Sequence, residues 1–153
     1  MNPIEISVCG IMKHSPETIC REFLNVDRWS EFAGYSILPG IKRAVFEQRI
    51  PSIVGSRIRV NNTDGSSHIE EIVEWNEGEK VCMKFQEFST PLNKIAEYFL
   101  EEWRFEQTNI GTKAIRKMKM YPKGIAGWML LLTPISLLMK KAFERQVIQM
   151  NMV

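Results

Sequence analysis

Along this chain the spacing of apolar residues changes, predicting one strand, a helical pair, a run of strands and a final helix. The opening IEISVCGIMK is apolar and rich in β-branched residues, so a strand is expected over residues 3–13. Ser15 then stands as an N-cap with Pro16 at the first helical position, where its missing amide costs no helical hydrogen bond. Ile19, Cys20, Phe23 and Leu24 recur at helical spacing, DRWSEF adds a second short helix, and GYSILPG carries loop residues.

From residue 41 the period falls to two. IKRAVFEQR and SRIRVNN are followed by an Asp64-Gly65 hairpin turn, and then by SHIEEIVEW, the turn NEGE and KVCMKFQEF. After the longer connection STPLNK, the segments AEYFLEEWRFEQ and TKAIRKMKMY close the series around the turn TNIG. The connections are short, so these six strands are expected to be antiparallel.

Past Pro122 the tail reads as one long helix to Met150, interrupted by Pro134. Its second half is amphipathic, with Lys140, Lys141, Glu144, Arg145 and Gln149 opposite Ile135, Leu138, Met139, Ala142 and Phe143. Its first half is not: the sixteen residues 124–139 carry no charge and are flanked by Lys123, Lys140 and Lys141. A spanning helix needs about 20 apolar residues. Pro134 interrupts this run, and a curved sheet needs a cover for its apolar face. The segment therefore reads as a core or pocket-lining helix, with peripheral membrane contact as the alternative.

Composition narrows the picture. The 153 residues fit a single domain over 1–153, and 44% hydrophobic with 25% charged residues is ordinary for a globular chain. A net charge of +2 argues against a nucleic-acid partner, because the lysines at 113, 117, 119 and 123 read as a solvated strand face. Cys9, Cys20 and Cys82 form no CxxC pair, so neither zinc nor a disulfide framework is expected; each reads as a small buried hydrophobe. MNPIEISVCG has an early acidic residue and no long apolar stretch, which excludes a secretory signal and favours the cytoplasm.

The order β-αα-β6-α is carried by SPETICREFLNVDRWSEF, LPGI, GSRIRV, IEEIVEW, EEWRFEQTNIGTKAIRKM and the closing helix. It resembles the START-like (SRPBCC) superfamily, in particular its polyketide cyclase/dehydrase and lipid-transport-like branch, over nearly the whole chain. The resemblance implies an α+β helix-grip fold, a curved antiparallel sheet of about seven strands wrapped around a long C-terminal helix. It also implies a cavity for apolar or amphipathic molecules between sheet and helix.

Catalytic signals are sparse. His14 and His68 stand alone, no serine has a nucleophile signature, and no phosphate loop, metal set or cofactor motif occurs. Neighbouring glutamates in Glu70-Glu71 and Glu101-Glu102 point to opposite faces of a strand. One register of the last hairpin sets Glu102 opposite Lys117 and Glu106 opposite Lys113 on a wet face. It then puts Arg116 opposite Trp103 and diagonal to Glu101 on the inner face, within reach of a salt bridge and a cation–π contact. A three-residue loop with a bulge at Gly111 would shift this by one residue.

The candidate ligand contacts are therefore Met83, Phe85, Phe99, Glu101, Trp103, Phe105, Arg116, Met118 and Met120 from strands, with Trp128, Leu131, Leu132 and Ile135 from the helix. A closed core without a cavity is the competing reading of the same residues. Trp29 is placed either at the cavity entrance or as a packing anchor. The leading functional expectation is a binding protein for a hydrophobic small molecule or lipid. The alternatives are a cyclase/dehydrase-type enzyme using Glu101, Arg116 or Glu71, and a peripheral membrane or protein-interaction module.

Overall fold

The computed structural model describes residues 2–36 and 38–151, so Ile37 of the predicted GYSILPG loop lies outside the described residues. Seven antiparallel strands form one sheet in the order β1-β7-β6-β5-β4-β3-β2. They are β1 (Ile4–Met12), β2 (Ile41–Gln48), β3 (Arg57–Asn62), β4 (Ser67–Asn76), β5 (Lys80–Gln86), β6 (Ala96–Thr108) and β7 (Gly111–Pro122). Between β1 and β2 come α1 (Pro16–Glu22) and a 3₁₀ turn, Val26–Glu31. Ser15 caps α1 by accepting from the Thr18 amide at 3.2 Å, and Pro16 occupies the first turn.

Alternation sorts each strand into two faces. Ile4, Val8 and Met12 of β1 stand beside Met120, Arg116 and Thr112 of β7, and all six are buried. Glu102 faces Lys117 and Glu106 faces Lys113 on the outer side, with Asn109 and Ile110 turning the hairpin. That leaves Glu101, Trp103, Phe105, Ala114, Arg116, Met118 and Met120 facing inward. Cys9 follows the same rule: it pairs with Ile115 on the outer face and is exposed. The expectation of three buried cysteines is corrected there, since only Cys20 is fully enclosed and Cys82 is half-buried.

The inner face holds a helix in three parts: α2 (Gly124–Leu130), a π turn (Leu131–Ile135) and α3 (Ser136–Asn151). Proline lacks the amide that would continue an α-helical ladder, and the wider turn around Pro134 accommodates it. The Ser136 hydroxyl donates to the Leu132 carbonyl at 2.6 Å within the same turn. Two glycines let the helix come close. A methyl at Gly10 would stand 2.6 Å from Val147 Cγ1, and one at Gly127 would stand 2.3 Å from the Ile95 carbonyl oxygen.

Among the described residues the core divides into three clusters. Met12, Ile19, Phe23, Trp103, Phe105 and Val147 belong to one, Ile4, Phe99, Met118, Met120, Leu131 and Phe143 to a second, and Ala44, Ile58 and Val60 of β2 and β3 form a third. Bulges in β2 and β4 bend the sheet around the space between them. No helix among the described residues is long and apolar enough to cross a membrane.

Candidate functional site: a cavity between sheet and helix

Between the clusters the sheet and helix leave a cavity of about 320 Å³. Met83 and Phe85 of β5, Phe99 of β6, and Ile135, Met139 and Ala142 of the helix form its apolar wall. Phe88 closes part of it by packing on Phe99, with ring centroids 4.9 Å apart. Leu38, Pro39 and Pro91 reach it from loops, and Leu92 from a short 3₁₀ turn, Leu92–Lys94.

Five charged or titratable groups border this cavity: Asp64, His68, Glu70, Glu101 and Arg116. Glu101 and Arg116 sit on adjacent strands and are 3% and 6% exposed, with Nε and Oε1 2.5 Å apart. The Nε–H does not point along that line, so it makes no aligned hydrogen bond. Trp103 Nε1 donates to the same Glu101 oxygen at 2.5 Å. The Arg116 guanidinium is held between rings, 4.8 Å from the centroid of Trp103 and 3.6 Å from that of Phe143, and it donates to Gln146 Oε1.

Removal from water dominates the electrostatics of this pair. Burial pushes the Glu101 carboxyl above its usual range, and the nearby Glu70 charge pushes the same way, against the lowering effect of Arg116. Burial likewise holds the Arg116 guanidinium below its usual range, against the raising effect of Glu101. Both groups thus lose more by leaving water than their contact returns, which is the known balance for many buried pairs.

His68 and Glu70 form a second polar pair, with Nε2 3.0 Å from Oε1. The imidazole lies stacked on Phe85, 5.4 Å between centroids. A smaller cavity of about 200 Å³ lies on the other side of Phe23, Trp29, Phe32 and Gln146, which line both spaces. Trp29 therefore stands in the partition between the two.

Of the predicted contacts, Met83, Phe85, Phe99, Glu101, Trp103, Arg116 and Ile135 come together on the main cavity wall. Phe105 lies in the filled cluster on the α1 side, and Met118, Met120 and Leu131 lie in the second cluster, with Trp128 packed against it. Leu132 is 39% exposed instead. Successive helix residues project about 100° apart, so the residue after buried Leu131 passes the edge of the buried stripe.

Glu71 is also corrected. It lies on the outer face, where Gln86 donates to it at 2.8 Å and Arg57 Nη1 stands 3.5 Å away. The inward members of β4 are His68, Glu70 and Ile72, paired with Val60, Ile58 and Met83. Buried isoleucines at both 69 and 72 blur the period-two signal, and the bulge between Ile72 and Glu74 breaks it. The segment's own alternation from His68 to Glu70 to Ile72 was the signal that would have found the polar pair. Phe143 and Gln146 carried a weaker one, being one helical turn beyond Met139 and Ala142.

No family model matches the chain, and no curated protein does. Solved structures do. The protein TTHA0849 of Thermus thermophilus superposes with a TM-score of 0.71 at 14% identity, covering 96% of this chain and 93% of that one. The structure of Ara h 8.0201 gives a TM-score of 0.65 at 14% identity, covering 96% and 99%. The di-domain ARO/CYC StfQ from the steffimycin biosynthetic pathway gives 0.61 at 20% identity; 98% of this chain is covered, but only 47% of that protein. These likenesses, together with a seven-stranded sheet closed around a C-terminal helix, settle the architecture. By fold, the chain shares the architecture of these structures: a helix-grip arrangement of a seven-stranded antiparallel sheet around a C-terminal helix.

Proposed function

We propose that this chain binds a hydrophobic small molecule bearing one polar group in the cavity between sheet and helix. The observation that carries the reading is the buried Glu101–Arg116 pair beside the apolar wall made by Met83, Phe85, Phe99, Ile135, Met139 and Ala142. A pair whose burial costs more than its contact returns is a poor stabilising device, but it is a fixed donor and acceptor for a ligand that excludes water. The volume of about 320 Å³ falls at the lower end of the range for small-molecule sites. The aromatic and methionine wall accepts a flat or flexible apolar body, because thioether side chains adapt to irregular shapes.

Native mass spectrometry of protein purified from its own host tests this directly. A co-purified apolar molecule is expected in the wild type and lost in Ala142→Phe, which fills the cavity from the helix side. A wild type that carries no ligand and takes up no fluorescent apolar probe would defeat the proposal.

The His68–Glu70 pair favours a second reading, a cyclase/dehydrase-type enzyme. A histidine held by a carboxylate beside an apolar cavity is the usual arrangement for moving a proton to or from a bound carbon acid. Product analysis with a polyketide-like aromatic precursor would show turnover in the wild type and none in His68→Asn. Equal product profiles with and without the protein would discard this reading.

A further inference from the structure

The outer side of the helix carries apolar surface that the cavity does not use. Ile125 is 73% exposed, Met129 62%, Leu130 48%, Leu132 39% and Leu137 62%. Ile125, Met129 and Leu132 follow each other at four and three residues, and Leu130, Pro134 and Leu137 do the same, so neighbouring rows of one helix side face water. Contiguous exposure of large aliphatic side chains on a folded domain marks a contact surface. The opposite side of the same segment is held in place by Gly127 on Ile95 and by buried Leu131.

The charged residues that flank these rows in sequence are lysines. Lys123 precedes the exposed rows, and Lys140 and Lys141 stand one turn after Leu137; all three are exposed. No aspartate or glutamate occurs from Lys123 to Lys141, and Glu144 follows one turn later. The exposed rows contain Ile, Leu, Met and Pro but no Tyr, Trp or Arg, the residues that usually anchor protein–protein contacts. Aliphatic side chains with lysines at the margin are the composition of a helix that lies in a bilayer interface.

We propose that this face, Ile125 to Leu137 with Lys140 and Lys141, docks on the surface of an anionic lipid bilayer. The helix then lies in the interface and does not cross it, which agrees with its length and its interruption at Pro134. Cavity-lining Ile135 and Met139 belong to the same helical stretch, so docking places the cavity directly beneath the lipid-facing side. The inference is independent of what occupies the cavity: Ala142→Phe should dock as the wild type does.

Co-sedimentation with vesicles of phosphatidylcholine, and of phosphatidylcholine with phosphatidylglycerol at about three to one, is the test. The wild type should sediment with the anionic vesicles, weakly with the neutral ones, and less as salt rises. Each exposed lysine near an anionic surface is worth about a fivefold change in partitioning, so K140Q/K141Q should lose about twenty-fivefold. I125S/M129S/L137S should abolish sedimentation while keeping the wild-type circular dichroism, since all three residues face water. Sedimentation that both variants leave unchanged, or none by the wild type with either vesicle, overturns the proposal. So does a concentration-dependent dimer, seen by analytical ultracentrifugation, that I125S/M129S/L137S dissociates; the face would then belong to a second copy.

Discussion

Glu101 and Arg116 meet at 2.5 Å across adjacent strands, both closed off from solvent and both shifted by burial toward their uncharged forms. Because the folded-state pKa of Glu101 is raised, the native chain holds a proton that the unfolded chain releases first. The contribution of this group is then fully favourable below the ordinary carboxylate pKa and is lost as pH rises through the folded value. Urea denaturation across pH should show Glu101→Gln matching the wild type in acid and equalling or exceeding it at neutral pH. A Gln variant that is much less stable only at neutral pH would mean that the pair is held together by its charge.

Replacing the whole pair is expected to separate stability from function. Buried ion pairs exchanged for apolar residues of similar size often gain about 1–4 kcal/mol. Glu101→Leu with Arg116→Met should therefore raise the denaturation midpoint and at the same time lose the bound ligand in native mass spectrometry. Removing only Arg116 should cost binding as well, without that gain.

The helical grip rests on two glycines with different neighbours. A methyl at Gly10 meets the side chain of Val147, whereas one at Gly127 meets the backbone carbonyl of Ile95. Gly10→Ala should destabilise by about 1–3 kcal/mol through overpacking, and Val147→Ala in the same chain should return most of it. Gly127→Ala has no such relief and should lift α2, seen as faster amide exchange over 124–131. Equal behaviour of the two glycines would contradict the packing described.

The cysteines should differ in reactivity by position. Burial pushes the Cys82 thiol up to about 11 and raises Cys20 as well, while Cys9 is exposed on the outer face. Only the thiolate reacts, so iodoacetamide near pH ~8 should modify Cys9 fast and the other two slowly in the native state. Mass spectrometry of the peptides reads this directly.

Much of the fold is local information. The Ser15-Pro16 start of α1, the Asp64-Gly65 turn and the charge pairs of the last hairpin are set by neighbours in sequence, and the predicted strand limits differ from the observed ones by only a few residues. The inward set of β6 and β7 followed from the same rule, since a strand with period two exposes its faces plainly. On β4 the rule failed, because apolar residues at both parities and a bulge conceal which glutamate turns in.

What the chain by itself determines is therefore which segments are strands and helices, and which face of a regular strand is apolar. Which inward residues meet empty space is decided only when the sheet bends around the helix. Met118 and Glu101 are neighbours in register, yet one is packed among Met120 and Leu131 and the other borders a cavity. The uncharged run 124–139 shows the same division. Its apolarity is legible at once, but the close seat of Gly127 on Ile95 and the π turn at Pro134 decide the rest: Leu131 enters the core, and Ile125, Met129 and Leu137 are left facing water. Spacing along a chain fixes direction about one element's axis, and only packing between elements fixes what lies in that direction.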